Sequence, residues 1–219
     1  MLFRSTAYES LLKLNMQDGR TLLVIGGAGG VGTWAILLAR ARFPSMTIIA
    51  TAGSEESRQW CARVGATQII PHNDVLNLGG GPNGSVDYIL CLTEPTKEIF
   101  ATLAEVIRPY GHICLVVAGT SIQSLDCGFL FFKAATLTFQ TVFTSGRTNF
   151  ETVVPANEMT DILLHLKDKT IPAAPLSPQL DIITSKNWRD CLQEGGLLDQ
   201  LASGHSQGKL VMKIEASQE

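Results

Sequence analysis

Six residues early in the chain have the types and spacing of a phosphate-binding turn. Gly27-Ala28-Gly29-Gly30-Val31-Gly32 matches G-x-G-x-x-G and lies between an apolar, strand-like run and a helical pattern. In this pattern Gly27 permits the tight turn, Gly29 lets backbone N–H groups approach a pyrophosphate, and Gly32 lets the helix pack against the strand. The helix N-terminus adds unpaired donors and partial positive charge. A tight βα turn without a ligand is the alternative, but the flanking elements favour a dinucleotide.

The residues after the next apolar run indicate which dinucleotide would bind. An NAD site usually places Asp or Glu here for the adenosine ribose, whereas this sequence reads Ala50-Thr51-Ala52-Gly53-Ser54. The Ser54 hydroxyl can donate to a 2′-phosphate, and Arg58 follows one helical turn later, so the pattern favours NADP(H). In the alternative interpretation, Ser54 only caps a helix and Arg58 is a solvated surface charge. The missing carboxylate also disfavours an S-adenosylmethionine-dependent methyltransferase.

Other chemistries have no matching residue pattern. The five cysteines are widely spaced without Cys-x-x-Cys, which argues against a disulfide framework or structural zinc and favours reduced thiols in the cytoplasm. His112 and His205 have no cysteine or carboxylate at metal-ligand spacing, and Cys91 is interpreted as a small core residue. No Gly-x-Ser-x-Gly elbow is present. We therefore expect neither a metal site nor a catalytic acid or base in this chain.

The elements that must position the turn alternate between strand and helix. Helical patterns are predicted at 31–43, 54–65 and 95–109, with Ser54 as an N-cap, Gly65 as a stop and Pro95 in the first turn of the third helix. Apolar runs predict strands at 21–26, 46–52, 66–70, 86–92, 111–119 and 135–143. The alternation predicts an α/β fold, a doubly wound parallel sheet (Rossmann-like) of about six strands with helices on both faces.

The composition of the chain limits the remaining classes of protein and of function. With 219 residues and 45% hydrophobic content, the chain can form one large domain, or one domain plus a fragment. A net charge of −3 without a basic cluster gives no support for nucleic-acid binding. The uncharged run 22–39 is near the lower length limit of a membrane span, but its five glycines favour strand, turn and helix. The first residues do not resemble a signal peptide.

A family resemblance covers nearly the whole chain. The segments "TAYESLL", "LLVIGGAGGVGTWAILLAR", "TIIATAGSEESRQWCARVGATQIIPHND", "VDYILCLT", "GHICLVV" and "GKLVMKIE" occur in an order that resembles the medium-chain dehydrogenase/reductase superfamily. The nearest likeness is to its quinone-oxidoreductase-like, zinc-type alcohol dehydrogenase branch. The resemblance implies NADPH-dependent hydride transfer to a small quinone, enone or other carbonyl substrate. A non-catalytic NADPH-binding or sensing module from a truncated family member is the alternative.

The resemblance also implies roles for individual residues. Contacts to the 2′-phosphate fall on Ser54 and Arg58, and a contact on the adenosine side falls on His72. The pyrophosphate would be held by Gly27, Gly29, Gly30, Val31 and Gly32. Leu92 and Thr93 lie at the carboxyl end of the fourth predicted strand, and Val117 and Ala118 lie at that of the fifth. Phe143 and Thr144 would flank the nicotinamide.

Finally, the resemblance implies a domain organisation and a partner. Residues 1–18 would form a connecting helix, 19–169 the dinucleotide-binding domain, and 170–219 a segment that rejoins a GroES-like catalytic domain absent from this chain. The strand near 136–143 would pair with its copy in a second subunit, giving a homodimer.

Overall fold

Short apolar segments form a six-stranded, wholly parallel sheet. The computed structural model describes residues 2–141, 160, 180–183 and 211–214. The strands are β1 (Thr21–Ile25), β2 (Thr47–Thr51), β3 (Gln68–Ile70), β4 (Val86–Cys91), β5 (Ile107–Leu115) and β6 (Thr136–Phe139). Their order in the sheet is β3-β2-β1-β4-β5-β6. In open α/β sheets of this order, a crevice lies where the order reverses, which here is outside the carboxyl ends of β1 and β4.

Helices cover both faces of this sheet, which confirms the predicted Rossmann-like fold. They are α1 (Leu2–Lys13), α2 (Gly30–Arg42), α3 (Glu55–Arg63), α4 (Lys97–Val106) and α5 (Gly128–Phe132), with 3₁₀ helices at His72–Leu78 and Thr120–Ser124. Along β1, Leu22 and Val24 join the core beneath α1, α2 and α3, while Leu23 and Ile25 join the core beneath α4 and α5. This division follows from the two-residue period of a strand.

The uncharged run 22–39 is divided between β1, the glycine turn and α2, as its glycines predict. Within the described ranges, no helix is both long and apolar enough to cross a bilayer. Beyond the large sheet, β7 (Leu180–Ile183) and β8 (Val211–Ile214) pair in parallel. Of residues 151–171, only residue 160 is described.

Two predicted boundaries around α4 are wrong. Pro95 precedes the helix instead of lying in its first turn, because Thr96 is the N-cap and its Oγ1 accepts from the N–H of Ile99 at 3.3 Å. The helix ends at Val106 rather than near Pro109. The next residue, Ile107, already pairs with β4, so contact with the sheet overrides the local helical pattern.

The fifth strand is therefore shifted along the chain. It was predicted at 111–119 and runs from Ile107 to Leu115, so Val117 and Ala118 lie in the loop beyond it. This loop turns back towards the β4–α4 connection, where the Glu94 carboxylate accepts from the N–H of Thr120 at 3.1 Å. With this hydrogen bond, the backbone after β5 no longer follows the direction of the strands.

Lys133 joins the edge of the sheet to the end of α4. Its side chain is almost fully buried, with 5% of the residue exposed. Nζ donates to the carbonyl oxygens of Ala104 at 3.0 Å, Glu105 at 2.6 Å and Ile107 at 2.8 Å. These carbonyls belong to the last turn and cap of α4, where a cation is favoured by the helix dipole. Burial lowers the pKa of Lys133, and the three acceptors stabilise its charged form.

We expect Lys133→Met to lower the free energy of unfolding by about 3 kcal/mol, because three buried carbonyls lose their charged donor. Urea unfolding followed by circular dichroism measures the change. Lys97→Met, at an exposed position in the first turn of the same helix, is the matched control and should change stability by less than about 0.5 kcal/mol. Equal losses for the two variants would contradict the capping role.

Candidate dinucleotide site

The glycine turn begins at Gly26 and is fastened to the end of β2. Gly26 has φ of +82°, in the left-handed region that favours glycine. Its N–H donates to Thr51 Oγ1 at 3.0 Å, and the N–H of Gly27 donates to the Thr51 carbonyl at 3.2 Å. The left-handed conformation of the turn therefore lies at Gly26, one residue before Gly27.

Gly27 and Gly32 are required for close packing. A Cβ on Gly27 would lie 2.8 Å from the Cβ of Ala50. A Cβ on Gly32 would lie 2.5 Å from the carbonyl oxygen of Gly26 and 2.6 Å from that of Gly27. Backbone atoms cannot move aside as a flexible side chain can, so α2 packs this closely against the turn only without a side chain at Gly32.

Gly29 differs, because the space beside it is open. A Cβ there would meet a single atom within 4 Å, the carbonyl oxygen of Gly26 at 3.5 Å. Gly29 is also the N-cap of α2, and no side chain in the described part of the protein caps this helix. By contrast, Ser54 and Thr96 cap α3 and α4. The first N–H groups of α2 are thus left for a ligand at the carboxyl edge of the sheet.

His72 lies on the opposite side of Thr51 from the turn. It follows β3 and begins a 3₁₀ helix, and its Nδ1 is 2.8 Å from Thr51 Oγ1. Its ring also lies beside Gly53, where an added Cβ would be 3.6 Å from His72 Cδ2. Partial burial lowers the pKa of the imidazole, which favours the neutral ring. The structure therefore brings His72 to the end of β2.

Ser54 and Arg58 lie at the start of α3, beside the same strand end. The Ser54 hydroxyl accepts from the N–H of Ser57 at 3.2 Å, which makes it the predicted N-cap. Arg58 Nη2 is 3.5 Å from the Gly53 carbonyl oxygen, and Nη1 is 3.7 Å from Glu55 Oε2. The guanidinium thus turns back over the N-terminus of α3 and is held there by a carboxylate that sequence reasoning did not include in the site.

Leu92 and Thr93 close over the glycine turn from β4. The N–H of Leu92 donates to the Ile25 carbonyl at 3.2 Å, and a Cβ on Gly26 would lie 3.5 Å from Thr93 Cγ2. Val117 is exposed in the next loop.

Sequence reasoning missed Glu94, which joins these two loops. No Cβ fits at Gly119, because the Glu94 side chain occupies that space. A carboxylate three residues beyond the end of β4 was the available signal. Phe143 and Thr144 lie outside the described residues.

The thiols near the site are part of the core. Cys91 is fully buried, and burial raises its pKa, so it is not poised as a nucleophile. The four cysteines in the described ranges are all free thiols. The same ranges contain no group of three His, Cys, Asp or Glu side chains able to hold a metal ion. The residues present there do not fit a zinc site.

Comparisons with known proteins give the family. No model of a known protein family matches the chain. A zinc-type alcohol dehydrogenase-like protein of Staphylococcus epidermidis is 30% identical over 225 aligned positions, which cover 96% of this chain and 62% of that protein. A similarly named Staphylococcus aureus protein is 36% identical over 145 positions, which cover 63% of this chain and 42% of the relative. The chain is thus similar to zinc-type alcohol dehydrogenase-like proteins over part of their length. This similarity confirms the resemblance to the medium-chain dehydrogenase/reductase superfamily that the sequence predicts.

Solved structures agree with this fold. An alcohol dehydrogenase superfamily protein from Novosphingobium aromaticivorans matches with a TM-score of 0.73 and 23% identity, covering 98% of this chain and 62% of that one. The Escherichia coli protein YhdH, solved with bound NADPH, matches with a TM-score of 0.69 and 14% identity, covering 97% and 62%. The chain thus spans less than two thirds of the length of these relatives and neighbours. The superfamily comprises nicotinamide-dinucleotide-dependent oxidoreductases.

Measurements of stability can distinguish Gly32, where a side chain does not fit, from Gly29, where the adjacent space is open. Gly32→Ala should lower the free energy of unfolding by about 2 kcal/mol, because its Cβ would overlap the Gly26 and Gly27 carbonyls. Gly29→Ala should cost no more than about 1 kcal/mol, the usual loss on placing alanine at an N-cap. Urea unfolding of both variants measures the difference. Equal losses would show that the space beside Gly29 is not open.

Proposed function

We propose that this chain is the NADP(H)-binding part of an oxidoreductase that transfers hydride to a quinone, an enone or another carbonyl compound. One observation carries the proposal: the N-terminus of α2 has no side-chain cap and has open space at Gly29, beside the crevice of a β3-β2-β1-β4-β5-β6 sheet. In sheets of this order, dinucleotides bind across that crevice. The similarity to zinc-type alcohol dehydrogenase-like proteins also supports a dinucleotide-binding oxidoreductase.

The pyrophosphate would be held by backbone donors. Gly30, Val31 and Gly32 would supply N–H groups at the start of α2, where the helix dipole favours negative charge. The N–H of Gly29 already donates to the Gly26 carbonyl at 3.2 Å, so Gly29 would contribute open space. A side chain at Gly29 would enter the space that the phosphates need, which explains an uncapped glycine at the N-cap. When bound, NADPH supplies a hydride from its nicotinamide ring. The chain's own residues bind and orient the cofactor.

The 2′-phosphate would bind at the start of α3. The Ser54 hydroxyl and the Arg58 guanidinium lie at the end of β2, where NAD enzymes place a carboxylate. The phosphate would compete with Glu55 for Arg58, whose guanidinium is 3.7 Å from the Glu55 carboxylate and whose side chain is 44% exposed. Arginine can bind a phosphate through two parallel N–H bonds. These contacts favour NADPH over NADH.

The nicotinamide would lie near Leu92 and Thr93, which cover the turn, and near Val117 and Ala118 in the loop after β5. Among the described residues, this edge carries no acid–base pair. A group that polarises the carbonyl would therefore come from outside these residues. The free thiols support a reducing, cytoplasmic setting.

Calorimetric titration with NADPH and NADH tests the cofactor assignment. We expect wild-type protein to bind NADPH more tightly, and Arg58→Gln to weaken NADPH about tenfold, because one charged bond to the phosphate is lost. The same variant should leave NADH affinity within about twofold. Arg42→Gln, at the far end of α2, is the matched control and should leave both affinities unchanged. Tighter NADH binding by wild type would rule out the 2′-phosphate site.

We also propose a homodimer through β6. In the described part of the sheet, β6 pairs only with β5 and forms an edge. Phe139 on this strand is 50% exposed, and an exposed apolar edge strand is a surface that pairs with another chain.

Sedimentation equilibrium at micromolar concentration should show a dimer, and Phe139→Lys should shift it towards monomer, because a charge on an edge strand opposes pairing. Phe131→Lys, which changes an equally apolar and more exposed residue on α5, is the control and should remain dimeric. A monomeric wild-type protein would contradict the edge-strand interface.

A further inference from the structure

Two hydrogen bonds that meet at the buried Thr51 hydroxyl join the glycine turn to the end of β3. The N–H of Gly26 donates to Thr51 Oγ1 at 3.0 Å, and the same oxygen lies 2.8 Å from His72 Nδ1. Thr51 has no exposed surface. Its side chain therefore lies between the turn proposed for the pyrophosphate and the histidine proposed for the adenosine side.

The direction of these bonds follows from the proton on the Thr51 hydroxyl. The N–H of Gly26 donates to Oγ1, so it occupies one lone pair of that oxygen. The hydroxyl proton of Thr51 still needs an acceptor. Among the described residues, His72 Nδ1 is the only acceptor in hydrogen-bonding contact with this hydroxyl. A buried hydroxyl without an acceptor is strongly disfavoured. Nδ1 is therefore the acceptor, and the neutral ring carries its proton on Nε2.

This arrangement fixes the plane of the Gly26 peptide. A glycine in the left-handed region has many accessible conformations, and the turn must hold one of them for the N–H groups of α2 to converge on a ligand. The side-chain bond to Gly26 and the backbone bond from Gly27 both end on Thr51. Thr51 thus sets the orientation of the turn without contacting the pyrophosphate.

The His72 end of these two hydrogen bonds presents a donor to the adenosine side. His72 Nε2 would lie 3.7 Å from a Cβ built on Gly53, so the Nε2–H is beside the end of β2. An adenosine ribose bound there offers oxygen acceptors. Any shift of the Thr51 hydroxyl alters both the glycine turn and the imidazole that meets the ribose.

We propose that Thr51 is a positioning residue of the cofactor site, and that its hydroxyl, oriented by the neutral His72, couples the pyrophosphate turn to the adenosine side. This inference rests on the proposed function, because the coupling acts on a bound dinucleotide. No direct contact between Thr51 and the cofactor is required.

Paired substitutions at Thr51 test the inference. Thr51→Val removes the hydroxyl and keeps the shape, so NADPH affinity measured by calorimetry should fall about tenfold. Thr51→Ser restores the hydroxyl and should bind within about threefold of wild type. His72→Phe should also weaken binding, and adding it to Thr51→Val should cost less than the sum of the single losses, because both break the same link. Thermal melts establish that each variant is folded, and His72→Phe tests the link if Thr51→Val does not fold.

A second readout needs no cofactor. Nitrogen NMR of the free protein at pH 8 should show His72 with a protonated Nε2 and a hydrogen-bonded, unprotonated Nδ1, and Thr51→Val should change this pattern. A protonated Nδ1 in wild type, or NADPH binding by Thr51→Val equal to wild type, would overturn the inference. If wild type binds no NADPH, the proposed function and the coupling both fail, whereas the NMR pattern still reports whether Thr51 orients His72.

Discussion

The close packing of α2 against the glycine turn, and of this turn against the sheet, is the constraint on which the site depends. At Gly32, the helix lies against the carbonyls of Gly26 and Gly27 at a distance that no side chain allows. At Gly27, the turn lies equally close to Ala50 on β2. These contacts place the first N–H groups of α2 directly over the carboxyl ends of β1 and β2. If α2 lay further from the turn, the packing at Gly32 would be lost. The concave face between the turn and the strands would be lost as well.

Side chains that do not face the proposed ligand hold this arrangement in place. The Trp60 indole on α3 donates to Thr33 Oγ1 at 2.8 Å, and both residues are buried. Thr33 lies in the first turn of α2, where its own N–H donates to the Gly29 carbonyl at 2.8 Å. Together with Thr51, these bonds attach the turn to α3 and to β2. Buried polar groups that are fully paired fix one geometry, so the start of α2 is organised before any ligand binds.

How much the sequence predicts depends on whether the signal is local. The six strands, the Ser54 cap and the glycine spacing are local features, and they gave the sheet and the turn correctly. The start of β5 was missed because Ile107 joins the sheet through its pairing with Val86, which a helical pattern does not reveal. Thr51 was missed for the same kind of reason. Its two partners lie 25 and 21 residues away in the chain, and no spacing rule connects them.

The described residues give the two ends of the crevice different physical characters. The end proposed for the adenosine combines a guanidinium, a helix N-terminus and an imidazole, which are groups suited to phosphate and ribose. The end proposed for the nicotinamide is formed by Leu92, Thr93 and the loop that Glu94 contacts. Binding energy gained at a part of a cofactor that does not react can be used to orient the part that does. In the proposed site, a charged anchor at one end would therefore let the reactive ring be held by shape alone, which would leave the substrate side of the crevice clear.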